Sequence, residues 1–323
     1  MPGEEPQQDA EFWFIDGNIV LISLDTAFRI HQGILSRHSE VFRDLFTVPQ
    51  PAVEETAFGC PVVHLSDSPH DLRHLLRVLY DGRRYYMKSE HQLDFAEVDA
   101  LVRLAHKYQI ADLRENGLAK LKMIFTDDLA VWEEYSDSRD TKFTGIRWIE
   151  SDAISVVNLV RLTNAMTLLP VAFYLCCQLQ PHELTRGVTR PDGTVERLST
   201  EDLEVCIRAR AMLMLAYGAG WMDLFSGVSN DCTQGARCMD GLSRIGQVVL
   251  LSSTRAQISY HSCLSNPRNV IAARCTDHRL CAACVRFITK KSLDWRRTVW
   301  NSLPAYFGLG KWEKLKTAES AAD

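Results

Sequence analysis

Six of the ten cysteines in the 323-residue chain lie between positions 232 and 284. They read Cys232-x5-Cys238, then Cys263, then Cys275-x2-His278-x2-Cys281-x2-Cys284. A structural Zn²⁺ asks for about four thiolate or imidazole ligands at tetrahedral geometry, usually as two close pairs. Cys281 and Cys284 make such a pair, because two intervening residues let a knuckle turn aim both thiolates at one ion. Cys275 or His278 is placed to add to it, and Cys232 and Cys238 would supply the other half. Cys263 is a spare. The wide Cys232–Cys238 spacing leaves reduced free thiols as a competing reading. A redox Cys-x-x-Cys is a third, but no βαβ pattern surrounds it. Cys176-Cys177 sits in an apolar stretch and reads as core.

Other chemistry is thinly represented. There is no Gly-x-Ser-x-Gly elbow, no Walker A loop, no Gly-x-Gly-x-x-Gly after a strand and no His-Glu-x-x-His. His182-Glu183 lacks a second histidine, and Gly308-Leu309-Gly310-Lys311 is too short for a phosphate loop. The expectation is a chain that is not an enzyme. Near the C-terminus, Trp295, Trp300, Tyr306, Phe307 and Trp312 interleave with Arg296, Arg297, Lys311 and Lys314. That pattern can bind nucleic acid. It also arises when a helix packs its aromatics inward and holds its charges out.

The elements that must position these residues divide at the polar stretch Ser136–Thr141. Before it, Ile19–Leu24 and Ala27–Ile30 form a hairpin with Phe28 and Ile30 inward and Arg29 outward. A short helix at about 32–36 follows, and Ser39 caps the next, which carries Phe42, Leu45 and Phe46 on one face. Pro61–Leu65 is a third strand. Ser68-Pro69-His70-Asp71 supplies a cap, a first-turn proline and a first-turn acid. Leu72, Leu75, Leu76 and Leu79 then recur at helical spacing. Two further helices carry Leu101 and Leu121 toward the same core. Beyond Thr141 the sequence predicts helices at about 148–168, 170–179, 200–219, 240–256 and 284–300. Pro191-Asp192-Gly193 is a turn between two short strands. The domains expected are a disordered tail over 1–10, a unit over 11–130 and a helical unit over 131–323.

Composition narrows the classes. Hydrophobic residues make up 46% and charged residues 24%, values of an ordinary globular protein, and the net charge is −5. A uniformly basic nucleic-acid binder is not expected. Between Arg268 and Lys316, however, 11 Lys/Arg stand against 3 Asp/Glu. No secretory signal is visible, no Asn-x-Ser/Thr sequon occurs, and no apolar run reaches the ~18–20 residues of a membrane span. An intracellular protein, cytoplasmic or nuclear and without membrane attachment, is expected. Its cysteines would then be reduced or metal-bound.

The first 130 residues resemble a BTB/POZ domain. The resemblance is carried by Asp16-Gly17-Asn18-Ile19-Val20-Leu21, Phe28-Arg29-Ile30-His31-Gln32-Gly33-Ile34-Leu35 and Ser39-Glu40-Val41-Phe42-Arg43-Asp44-Leu45-Phe46. It continues in Pro61–Leu65, Leu79-Tyr80-Asp81-Gly82 and Ala100–Ile110. The wording looks most like BTB-containing proteins of mushroom-forming fungi. The resemblance implies an α+β fold, a small sheet with packed helical hairpins, followed here by a mostly α-helical domain.

It further implies a non-enzymatic adaptor or scaffold that binds protein, such as a cullin or a second copy of itself. A cullin contact in the family can use a hydrophobic-x-Glu triplet after the Phe-rich helix, which Val53-Glu54-Glu55 fits. Asn18 and Gln32 stand where corepressor-binding members carry a charged pair, and little chain precedes the first motif. Any dimer is therefore expected to be weak and not strand-swapped. His31 takes the place of the family's buried structural histidine. The alternative function is a nuclear transcriptional regulator whose basic, Cys-containing C-terminal segment contacts nucleic acid.

Overall fold

The computed structural model describes residues 6–47, 55–82, 92–138, 145–253, 262–266 and 268–320. The chain divides into two compact units. One comprises Met1–Lys120 with Gly145–Trp148 and Thr189–Glu196; the other comprises Leu121–Thr144, Ile149–Val188 and Arg197–Asp323.

The first unit is built on a five-stranded sheet. Its strands are β1 (Gln7–Trp13), β2 (Ile19–Ser23), β3 (Thr26–Ile30), β4 (Thr56–Ala57) and β5 (Cys60–Leu65), in the order β1-β3-β2-β5-β4. β2 and β3 are the expected hairpin, in register from Ile19↔Ile30 to Ser23↔Thr26. Leu24 turns the chain at φ 52°. β5 joins β2 in parallel, and β1 joins β3 in parallel.

That last strand corrects the expected tail over 1–10 at residues 7–10; residues 1–5 lie outside the described residues. Gln7-Gln8 looks polar, but Asp9 takes the backbone N–H of Phe12 at 2.8 Å and an ion pair from Arg73 at 2.6 Å. Phe12 enters the core beside Tyr80.

Helices cover the sheet: α1 (Gln32–His38), α2 (Glu40–Thr47), α3 (Pro69–Asp81), α4 (Phe95–Lys107) and α5 (Ala111–Lys122). Ser39 holds the α1–α2 junction. Its Oγ accepts from the Phe42 N–H at 3.1 Å and donates to the Tyr108 carbonyl at 2.6 Å. Phe42 is fully buried and stacks on Tyr108, with ring centroids 4.3 Å apart. Ser68 caps α3 as expected, accepting from the Asp71 N–H, with Pro69 in the first turn. Ile19, Leu21, Phe28, Leu35, Phe42, Leu75 and Leu101 form the core with Leu72, Leu76 and Leu79.

The second correction concerns the boundary at 130/131. Two short pieces of the later sequence belong to the first unit. β6 (Leu93–Asp94) pairs with β7 (Ile146–Arg147). The turn Pro191-Asp192-Gly193 does join two short strands, β8 (Val188–Thr189) and β9 (Val195–Glu196). Arg190 secures this hairpin by reaching Asp71 at 2.8 Å and Asp99 at 3.1 Å. Arg103 bridges Asp99 and Glu196. Burial pushes the Asp99 carboxyl up to about 6, against the pull of Arg103. Ion pairs between residues so distant in sequence leave no local periodic signal, so a division by composition cannot find them.

The second unit is helical: α6 (Leu129–Ser138), α7 (Ala153–Thr163), α8 (Leu169–Cys176), α9 (Pro181–Arg186), α10 (Thr200–Leu224), α11 (Ala236–Ser253), α12 (Arg268–Asp277), α13 (Ala282–Tyr306) and α14 (Trp312–Ser320). The helix expected over 148–168 is shorter. It ends at Asn164, whose φ of 59° is left-handed. The apolar run around Leu168–Cys177 is a buried helix, and Cys176 and Cys177 are core. Ser199 caps α10 through the Asp202 N–H.

Candidate metal centre

Four of the six clustered cysteines converge. The thiols of Cys232, Cys238, Cys281 and Cys284 all lie within 4.8 Å of one another. The Cys232 and Cys281 sulfurs are 3.8 Å apart. All ten cysteines are free, so no disulfide draws these four together. A tetrahedral ion held at about 2.3 Å by four thiolates needs sulfurs roughly 3.8 Å apart. The donor set and its spacing therefore fit Zn²⁺.

Local structure explains the convergence. Cys281 is the N-cap residue of α13, and Cys284 lies one turn in, so the Cys-x2-Cys pair occupies a helix N-terminus. Cys238 is in the first turn of α11, and Cys232 lies in the loop just before that helix. Two helix N-termini thus point at one spot, and the partial positive charge there favours thiolate. The backbone N–H groups of Cys284 and Thr233 pull the Cys281 thiol down to about 6, whereas burial pushes Cys284 up to about 12. The Cys281 N–H also donates to the Cys238 sulfur at 3.4 Å. Val228 and Leu280 pack over the cluster and Cys238, Cys281 and Cys284 are buried, which limits water access.

Arg279 makes the approach work. Its left-handed φ of 52° reverses the chain between α12 and α13, with the Leu280 N–H returning to the Cys275 carbonyl at 3.0 Å. The same turn separates Cys275 and His278 from the thiol cluster. Cys275 faces an apolar cluster with Trp221, Leu242 and Ile288, where burial pushes its thiol up to about 11. His278 lies against α11 at Gly241. Spacing alone made both residues candidates, but neither joins the four thiols.

The remaining sequence candidates fall elsewhere. In the Val53-Glu54-Glu55 triplet, Val53 and Glu54 lie outside the described residues. Glu55 is exposed and holds the His64 ring, with Nε2 to the carboxylate oxygens at 3.0 and 3.1 Å. His31 is half-buried rather than fully buried. It meets the Tyr80 hydroxyl through Nδ1 at 2.9 Å and Asp16 through Nε2 at 3.3 Å.

The C-terminal aromatics pack among themselves. Trp300 stacks on Trp312, whose indole N–H donates to the Trp300 carbonyl at 2.8 Å. Arg296 is buried in an ion pair with Glu133. Among the described residues no helix is long and apolar enough to cross a membrane.

Two features escaped the sequence reading. The Asp71–Arg190–Asp99–Arg103 network carried no local signal at all. Gly220, which lets α10 approach Trp295 closely, was one glycine among 17.

No curated protein matches the chain. The family model of the BTB/POZ domain matches residues 13–123. That span takes in β2–β5 and α1–α5, while all of β1 but Trp13 precedes it. The N-terminal unit is a BTB/POZ domain, and the chain is a BTB-containing protein with a mostly helical C-terminal region.

Proposed function

We propose that the chain is a non-enzymatic adaptor whose BTB unit docks a protein partner and whose helical unit is stapled by one structural Zn²⁺. The observation that carries the adaptor reading is the BTB/POZ domain, a protein-interaction module, joined to a separate helical unit. The partner we favour is a cullin, met through Val53-Glu54-Glu55, which would make the chain a substrate adaptor of a ubiquitin ligase. Cys232, Cys238, Cys281 and Cys284 would hold the ion. A set of four protein ligands leaves no open position for a reacting water, so bound zinc supplies cross-linking rather than catalysis. It would tie the loop before α11 to the start of α13.

The nucleic-acid reading draws less support. Trp300, Trp312 and Arg296 of the basic segment satisfy one another and Glu133 inside the helical unit. Affinity purification of the full chain tests the adaptor reading. A cullin is expected to co-purify with the wild type and to be lost from a Val53→Ala/Glu54→Ala variant. Recovery of no cullin, or a salt-dependent shift of DNA or RNA instead, would defeat it.

A further inference from the structure

α10 is a helix of 25 residues that is apolar on two opposite sides. One side is used internally: Cys206, Ala209, Leu213, Gly220 and Leu224 are buried. The other side lies open. Ile207 is 55% exposed, Met214 53%, Leu215 75% and Met222 67%. Together with Ala211 and Gly218 these positions step along the helix by three and four, so they form one stripe. A soluble helix normally turns charge to that side. The apolar side chain left open is on the order of 600 Å² per copy, at the top of the range for the largest patch on a monomer and near the ~800 Å² each partner gives a standard interface.

We propose that this face of α10 is a homodimer interface, in which two copies of the helix pack antiparallel about the Met214–Leu215 midpoint. The stripe matches itself in that arrangement. Ile207 falls opposite Met222 of the second copy, Ala211 opposite Gly218, and Met214 opposite Leu215. Large side chains meet large ones at the centre and ends, and the small pair between them lets the backbones approach. Methionine fills the irregular gaps that such a pairing leaves.

Charge selects the direction. Glu201 and Glu204 are exposed at the N-terminal end, whereas the exposed acid near the C-terminal end, Asp223, is paired with Lys291 at 3.0 Å. Parallel pairing would set each beside its own copy. Antiparallel pairing separates the two Glu204 positions by roughly 30 Å along the axis and opposes the helix dipoles favourably. The surface belongs to the helical unit, so the proposal is independent of any contact made by the BTB domain.

Sedimentation equilibrium of the full chain tests it, with Leu215→Glu as the perturbation. That residue is three-quarters exposed, so the variant is expected to fold and to keep its melting temperature. A wild type that self-associates at micromolar concentration, weakened at least about tenfold by Leu215→Glu, is the expected result. If the BTB domain also dimerises, the variant drops from a larger assembly to a dimer. A wild type that stays monomeric to about 100 μM, or an assembly unchanged by Leu215→Glu, overturns the proposal. A monomer that floats with anionic vesicles also overturns it and assigns the face to lipid instead.

Discussion

Replacing Gly220 with alanine sets two opposing effects against each other at one site. Gly220 lies inside α10, and helix propensity alone favours alanine there by about 1 kcal/mol. The packing says otherwise. A Cβ at Gly220 would stand 2.0 Å from Trp295 Cε2, 2.2 Å from its Nε1 and 2.5 Å from its Cζ2. The indole has no easy retreat, because Trp221 lies 6.2 Å away on one side and Tyr217 6.3 Å away on another, centroid to centroid. Either α10 and α13 separate or the ring swings out of its cluster. Overpacking of this kind costs about 1–3 kcal/mol, and an overlap of more than 1 Å belongs at the upper end.

The net expectation for Gly220→Ala is a loss of about 1–2 kcal/mol. Gly218→Ala is the control. It sits in the same helix with nothing within 4 Å of the added carbon, so it should gain about 0.5–1 kcal/mol. Urea denaturation followed by tryptophan fluorescence at sub-micromolar protein reads both, below the concentration at which the exposed face associates. If Gly220→Ala stabilises the helical unit as Gly218→Ala does, the close approach of α10 to Trp295 is wrong.

Phe42→Ala should cost the BTB domain about 3–5 kcal/mol, since the ring is fully buried against Tyr108; an unchanged melting point would remove Phe42 from the core. Burial, with His70 and Arg77 adding to it, holds His74 down to about 4 from 6.5. The unfolded chain then takes up a proton that the folded one refuses, so stability falls as pH drops from about 6.5 to about 4, by up to roughly 3 kcal/mol. His74→Asn should flatten that part of the pH–stability curve, and an unaltered slope would contradict the assignment. Asp99 works in the opposite sense, because its raised value makes the folded state the better proton acceptor between about 4 and 6. A strong zinc chelator should speed hydrogen exchange around 226–238 and 280–288 while leaving the BTB sheet protected; uniform protection throughout would argue against a metal staple.

What the sequence made legible was local. The β2–β3 hairpin, the Ser39 and Ser68 caps, and the α3 leucines each announce themselves within a dozen residues, and all stand where their periodicity places them. The Cys281-x2-Cys284 pair was legible for the same reason: its geometry is that of one helical turn. Cys232 and Cys238 were candidates for the other half, but spacing could not separate them from Cys275 and His278. Cys275 is nearer in sequence, but α12 turns it into an apolar cluster while Arg279 reverses the chain; Cys232 and Cys238 arrive from an element more than 40 positions away. β1 hid behind Gln7-Gln8, because its anchor is the long-range pair Asp9–Arg73. Likewise the open side of α10 could not be read, since a helix apolar on two opposite sides does not reveal which of them is covered.

Zinc content of the full chain, purified without added metal, tests the four-cysteine centre most directly. One zinc per chain is expected in the wild type, and none in a Cys281→Ser/Cys284→Ser variant. Cys275→Ser and His278→Ala should each retain the full complement, since neither side chain joins the four thiols. A wild type without stoichiometric zinc, zinc retained in the double variant, or zinc lost from His278→Ala would contradict the account.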